Sequence, residues 1–275
     1  MTAPQVSALH VYPVKSLRAT STREAVVEPW GLAGDRRWML VDATRLKAVT
    51  QREQPRLALL TALTTAGGGV RLEAPGREPL DVPVPPPGPL ETVRLFSHPI
   101  EVLAAGAAAD RWLSDCLGTP VRLVHLDEPS VRRPVDPEFG LPGETVSLAD
   151  GYPLLVTATG SLDALNSLIA AGDRPHEGPL PMDRFRPNVV IEGTPPWAED
   201  GWRRVRIGEV LFRVPKPCAR CVVTTTDQLT GDRGGEPLRT LGRHRNVGSK
   251  LLFGQNLIPQ HAGTVRVGDP LTLVE

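Results

Sequence analysis

The sequence predicts a mainly β protein with a few helices, an α+β chain of barrel-like character. Its apolar runs are short and β-branched, 29 Pro and 26 Gly punctuate them, and only two segments carry a helical period. Residues 6–14, 38–42, 57–61, 70–73 and 121–126 read as strands of the first half. The Pro-rich stretch 83–89 cannot join a central ladder, because proline has no N–H to donate. Residues 107–117 form the first helix. Trp112, Leu113, Cys116 and Leu117 share one face, and Gly118 stops it. Residues 161–171 form the second, with Ser161 as N-cap, Leu162, Leu165 and Leu168 as the apolar stripe, and Gly172 as the stop.

The second half returns to strands at 185–191, 203–207, 210–214 and 222–226. Ile207-Gly208-Glu209-Val210 has the composition of a tight hairpin. Residues 263–273 read as two strands around a turn at Gly268-Asp269. No internal repeat is visible. The polar, Pro-rich segment 127–144 suits a linker, with a domain boundary between 118 and 145.

Thirty-one basic and 31 acidic residues give a net charge of zero. That argues against a partner held by general phosphate attraction, such as nucleic acid, and leaves room for a small anion held by a few local cations. No apolar run approaches membrane-spanning length, and the N-terminus lacks the basic and apolar regions of a secretory signal. The expectation is a cytoplasmic protein with no membrane association. Three cysteines are too few for a disulfide framework in 275 residues.

Cys218-Ala219-Arg220-Cys221 is the first candidate site. A C-x-x-C supports half a zinc site, a redox dithiol, or one reactive thiol with a bystander. Zinc needs further ligands, and the six histidines are scattered. A redox dithiol belongs at a helix start, whereas the β-branched run after Cys221 favours a strand. A single reactive thiol gains, with Arg220 beside Cys221 favouring the thiolate. A plain packing role for the pair stays open. The second candidate is a set of polar residues at strand ends: Lys15 and Ser16, Arg36, and Arg186 with Asn188. Singly these are solvated loop charges; together they suit an anion with polar ring atoms.

The same residues carry a resemblance. V-Y-P-V-K-S (11–16), G-D-R-R-W (34–38), F-R-P-N-V-V-I (185–191), C-A-R-C-V-V-T-T-T-D (218–227), G-E-P-L-R-T-L (235–241), F-G-Q-N (253–256) and V-G-D-P-L (267–271) occur in this order. The chain resembles MOSC-domain proteins with a preceding MOSC N-terminal β-barrel domain, the family of the mitochondrial amidoxime-reducing component and its bacterial relatives. The resemblance implies two domains, residues 1–120 and 121–275. Between them it implies a molybdenum cofactor, molybdopterin with or without a nucleotide, with Cys221 as metal ligand. Lys15, Ser16, Arg36, Arg186, Asn188, Ala219 and Arg220 carry over as cofactor contacts. Thr159, Gly160 and Ser161 carry over more loosely, because relatives often have Glu or Gln where Thr159 stands. Cys218 is left to packing, as is Cys116, and Asp227 and His244 are candidate proton donors or structural residues. Pyridoxal phosphate binding is a further keyword attached to the family.

The activity implied is reduction of N-hydroxylated compounds by oxygen-atom abstraction at the Cys-ligated molybdenum. The alternative is a carrier of cofactor or sulfur without turnover, as the MOSC part of molybdenum cofactor sulfurases suggests. The chain shows neither the membrane anchor of the eukaryotic enzymes nor the iron–sulfur domain of some bacterial ones. Electrons are therefore expected from a separate ferredoxin, flavodoxin or flavoprotein reductase.

Overall fold

A computed structural model describes residues 3–274. The mainly β expectation holds. The largest sheet orders its strands Thr20–Thr22, Gln5–Val11, Val189–Glu192, Leu154–Ala158, Lys250–Pro259, Val210–Arg213, Arg204–Ile207 and Leu271–Leu273. Two short strands, Pro217–Ala219 and Asn246–Val247, also pair with Lys250–Pro259. One pair, Leu154–Ala158 with Val189–Glu192, is parallel, and the helix Thr159–Ala170 supplies the crossover that a parallel pair requires.

The first half contributes a four-stranded sheet of Trp38–Asp42, Val121–His125, His98–Ala104 and Glu91–Leu95, and a three-stranded one of Thr61–Thr64, Val70–Glu73 and Leu80–Val82. The two halves are interleaved. Gln5–Val11 lies in the sheet of the second half, while Glu24–Glu28 pairs with Gly263–Arg266 near the other end of the chain. Val121–His125 pairs inside the first half, so a division at 120/121 cuts a strand from its sheet.

The helix Ala107–Leu117 matches its expected bounds, and Gly118 ends it in the left-handed region at φ +70°. Ala109, Leu113 and Leu117 are buried against the sheet, with Trp112 and Cys116 packed on the same core. Leu113 has no exposed surface, so Leu113→Ala should cost about 3 kcal/mol in urea denaturation. A loss below about 1 kcal/mol would show that the site collapses around the smaller side chain.

Three expectations are corrected. Residues 57–61 do not form one strand: Pro55 opens a 3-10 turn, Pro55–Leu59, and the strand starts at Thr61. Residues 185–191 divide into a 3-10 turn, Met182–Phe185, a left-handed Arg186 at φ +55°, and a strand from Val189. The run after Cys221 is a 3-10 turn, Val222–Thr225. There the Thr224 and Thr225 hydroxyls donate to the carbonyls of Cys221 (2.9 Å) and Val222 (2.8 Å), local bonds that compete with a strand ladder. Residues 263–273 form two strands around a turn as expected, Gly263–Arg266 pairing with Glu24–Glu28 and Leu271–Leu273 with Arg204–Ile207.

Candidate functional site

A basic cavity opens where the two halves meet. Its enclosed part is about 160 Å³, and Lys15, Ser16, Arg36, Arg186, Asn188, Ala219, Arg220 and Cys221 all line it. Arg52, Asp150 and Tyr152 line it as well. Five cations, Lys15, Arg36, Arg52, Arg186 and Arg220, thus face one carboxylate, Asp150. The chain is neutral overall, so this concentration of charge is local and suits an anion.

Three of these residues hold uncommon backbone conformations. Ser16, Arg36 and Arg186 have φ of +68°, +48° and +55°, in the left-handed region that L side chains seldom adopt. Such residues persist when their surroundings over-determine them, and here the surroundings do so visibly. The Arg36 N–H donates to the Tyr12 carbonyl at 2.7 Å, and the fully buried Asp35 carboxylate accepts the Tyr12 N–H at 2.8 Å while pairing with the Arg36 guanidinium. Tyr12 is buried, with Arg36 and Arg186 at 4.3 and 4.4 Å from its ring centroid. Burial raises the phenol to about 12, ahead of the opposing pull of Arg186 and Arg36, so it stays neutral between the two cations.

Asn188 positions rather than reads. Its Oδ1 accepts from Arg36 Nη1 (3.1 Å) and the Leu155 N–H (3.2 Å), and its Nδ2 donates to the His10 carbonyl (3.2 Å). Arg36 is thus held from two sides. Arg186 is treated differently. It is 9% exposed, and its guanidinium donates to the neutral Gln228 Oε1 at 3.4 Å. Among the described residues no carboxylate pairs with it, and burial pushes it down to about 10. A buried guanidinium without a counter-ion is costly unless a bound anion supplies one.

Lys15 donates to the Leu148 carbonyl at 2.9 Å and pairs with Asp150. Asp150 also accepts from Arg52 at 2.9 Å. Asp150 is exposed at the rim, and despite some desolvation by its neighbours the two cations hold its carboxyl well below the ordinary range. Burial pulls Lys15 down to about 8, more than Asp150 restores. Lys15 therefore loses its charge as pH rises through about 8. Sulfate, whose own charge is constant, should bind about fivefold more weakly at pH 9.5 than at pH 7 in titration calorimetry, from one unit charge at close range. Lys15→Met should flatten that dependence; a flat profile in the unaltered protein would remove Lys15 from the anion site.

The cysteines separate by their neighbours. Arg220 donates to Cys218 Sγ at 2.9 Å and to the Phe185 carbonyl at 2.6 Å. The guanidinium beside Cys221 is instead Arg52: burial works against its charge, and Asp150, with a smaller contribution from the nearby Cys221 sulfur, outweighs that cost. The expectation that Arg220 serves Cys221 is thus corrected: Arg220 turns back to Cys218, and a residue from the other half of the chain takes its place.

Residues 3–120 match the MOSC N-terminal beta barrel domain and residues 143–272 the MOSC domain. The chain is 33% identical over 288 residues to the mitochondrial amidoxime-reducing component 1 of Homo sapiens, covering 98% of this chain and 82% of that one. The Mus musculus protein of the same name is 34% identical over 289 residues, with the same coverages. The chain belongs to the MOSC-domain family. The molybdenum cofactor sulfurase of Oryza sativa subsp. japonica is 30% identical over 257 residues, 89% of this chain but 31% of that protein.

In this MOSC protein the cavity gathers eight of the sequence-derived positions and omits three. Thr159, Gly160 and Ser161 do not line it. The helix begins at Thr159 with Ala158 as cap, so Ser161 is not the N-cap. Its hydroxyl is buried, donating to Glu199 Oε2 (2.7 Å) and accepting the Trp197 N–H (2.8 Å). Gly160 lies against Thr194, where an added Cβ would stand 2.7 Å from the carbonyl oxygen. Neither Asp227, paired with Arg184 at 2.9 Å, nor His244 lines the cavity.

Sequence reasoning missed Asp35, Arg52 and Asp150. Asp35 was signalled by its place in G-D-R-R-W; the other two stand in segments with no local signal. The pyridoxal phosphate expectation gains no support, since the lysine in the cavity is engaged by Asp150 and the Leu148 carbonyl. Among the described residues no helix is long and apolar enough to cross a membrane. The cytoplasmic expectation gains no support from relatives whose names place them in mitochondria.

Proposed function

We propose that this MOSC protein holds a molybdenum cofactor in the basic cavity through the Cys221 thiolate and reduces N-oxygenated small molecules. One observation carries the reading: the two cysteines, Cys218 and Cys221, share their cavity with five cations and a single carboxylate. The donor set fits the group. Arg186 is a buried cation without a carboxylate, and the buried Arg220 Nε and Tyr152 hydroxyl have no hydrogen-bond partner among the described residues. A pterin phosphate suits the first, and polar ring atoms suit the others. No three of His, Cys, Asp and Glu converge as a metal site among the described residues. A metal at Cys221 would then draw its other ligands from the cofactor, as a soft thiolate-rich site for molybdenum requires.

When bound, the cofactor supplies the two-electron reduction that removes oxygen from nitrogen. The chain supplies orientation and charge. Lys15, Ser16, Arg36 and Arg186 would hold the anionic end, and Ala219 and Arg220 flank the thiolate. Arg52, from the opposite half, brings a positive charge near the Cys221 sulfur, and Asp150 holds Arg52 and Lys15 together at the rim. Such supporting contacts set ligand geometry and affinity. The electrons come from a separate donor protein of the ferredoxin, flavodoxin or flavoprotein class. The two domains, proposed to divide within 118–145, both contribute to the cavity.

Metal and pterin analysis of protein made in a cofactor-competent host tests the reading. Stoichiometric molybdenum and releasable pterin are expected, together with reoxidation of the chemically reduced protein by an N-hydroxylated substrate. Absence of both metal and pterin overturns the proposal. Their presence without reoxidation favours a cofactor carrier, the reading to which the sulfurase relative lends weight.

A further inference from the structure

The turn at 34–38 that sends Arg36 to the basic cavity sends Arg37 to a second and larger one, of about 990 Å³. Its walls come from the strand Glu24–Glu28, the strand Thr61–Thr64, the Pro-rich loop after Leu80–Val82 and the segment after Val121–His125. Val26 and Leu63 line it while remaining 53% and 38% exposed, and Val84 and Pro87 extend the apolar wall. Large apolar side chains left open inside a concavity mark a surface that a ligand can cover.

The polarity is the reverse of the first cavity. Four carboxylates, Glu24, Glu28, Asp127 and Glu128, stand against one guanidinium, Arg37. Asp127 is paired with Arg132 at 2.6 Å, and Glu24 with Arg266 at 3.3 Å. Glu28 accepts the Trp30 indole N–H at 2.7 Å, a neutral donor that leaves its charge in place. Glu128 has no ion-pair partner among the described residues. Arg37 does not neutralise them directly: its guanidinium donates to the Leu126 carbonyl at 3.0 and 2.6 Å and to the Asp127 carbonyl at 2.7 Å.

A second observation is independent of the acids. His125 lines the same cavity and is 5% exposed, yet its Nδ1 has no hydrogen-bond partner among the described residues. Its ring packs on Trp38 with centroids 4.4 Å apart. Burial, and then Arg37, push it down to about 4. The imidazole is therefore neutral at pH 7 and carries one acceptor nitrogen. Buried acceptors without donors call for a ligand that brings N–H groups.

We propose that this cavity is a second binding site, for a protonated amine carried on a compact apolar body. An anion would be repelled by Glu28 and Glu128. A neutral apolar molecule would desolvate those carboxylates without compensation, and a bare metal ion would leave the apolar wall wet. The site shares no lining residue with the first cavity and does not depend on what that cavity holds.

Three probes with one phenyl body separate these cases by titration calorimetry: benzylammonium, benzyl alcohol and benzoate. Benzylammonium should bind about tenfold tighter than benzyl alcohol, the worth of a charge-assisted hydrogen bond at a part-exposed site, and benzoate should not bind. Glu28→Gln should remove most of that preference. Val26→Arg, which sets a cation on an exposed wall position, should abolish binding. Cys221→Ser should leave binding unchanged, so that failure of the proposed reductase and failure of this site are told apart. In the unaltered protein, benzylammonium should move the His125 imidazole resonances, a readout independent of whether a variant folds. Equal affinities for the three probes, unmoved His125 resonances, or retention of binding in both folded variants overturns the proposal.

Discussion

Cys221→Ser should lower reduction of an N-hydroxylated substrate by more than about 100-fold, while Cys218→Ser keeps most of it. Removing a contact that merely supports a metal ligand costs 10–100-fold, and removing the ligand itself should exceed that range. The two sulfurs differ in their surroundings. Cys218 accepts a hydrogen bond from Arg220, which is itself anchored on the Phe185 carbonyl. Cys221 faces Arg52, which is tied through Asp150 to Lys15 of the anion site. Molybdenum content measured alongside turnover decides the matter. Full metal and full activity in Cys221→Ser, with both lost in Cys218→Ser, would exchange the roles of the two residues.

Asp35→Ala should destabilise the fold by about 3–5 kcal/mol in urea denaturation, the cost of leaving a buried charge without its partner. Asp35 has no exposed surface, accepts the Tyr12 N–H and pairs with Arg36. Without it, Arg36 and Arg186 both stand against the Tyr12 ring with no buried carboxylate beside them. That loss is a large share of a typical 5–15 kcal/mol stability. Asp35→Asn keeps an acceptor for the Tyr12 N–H and so isolates the charge from the hydrogen bond. Because a bound anion supplies the missing charge, added sulfate should narrow the gap between Asp35→Asn and the unaltered protein. A loss below about 1 kcal/mol with no response to sulfate would show that Arg36 finds another counter-ion.

Much of this site is legible from the chain alone. Lys15, Arg36 and Arg186 stand near strand ends in short motifs, and Arg36 and Arg186 hold positive-φ backbone there. The second cavity is not legible in this way. Its residues come from stretches scattered between Val11 and Glu128, and only folding brings Glu28, Leu63 and His125 to one space. The error at 222–226 has a local cause: β-branched threonines promise a strand, but their hydroxyls satisfied the carbonyls of a turn instead.

The sequence by itself determined the mainly β class, the helix at 107–117 with its Gly118 stop, and a cysteine set among anion-binding motifs. These depend on periodicity, caps and turn residues, which act over a few positions. The tertiary structure alone decided which cation serves which sulfur. Arg220 is one residue from Cys221 yet bonds Cys218, while Arg52 reaches Cys221 from the other half of the chain. Charge interactions depend on distance and burial rather than sequence separation, so the pairings of the basic cavity exist only once the halves interleave.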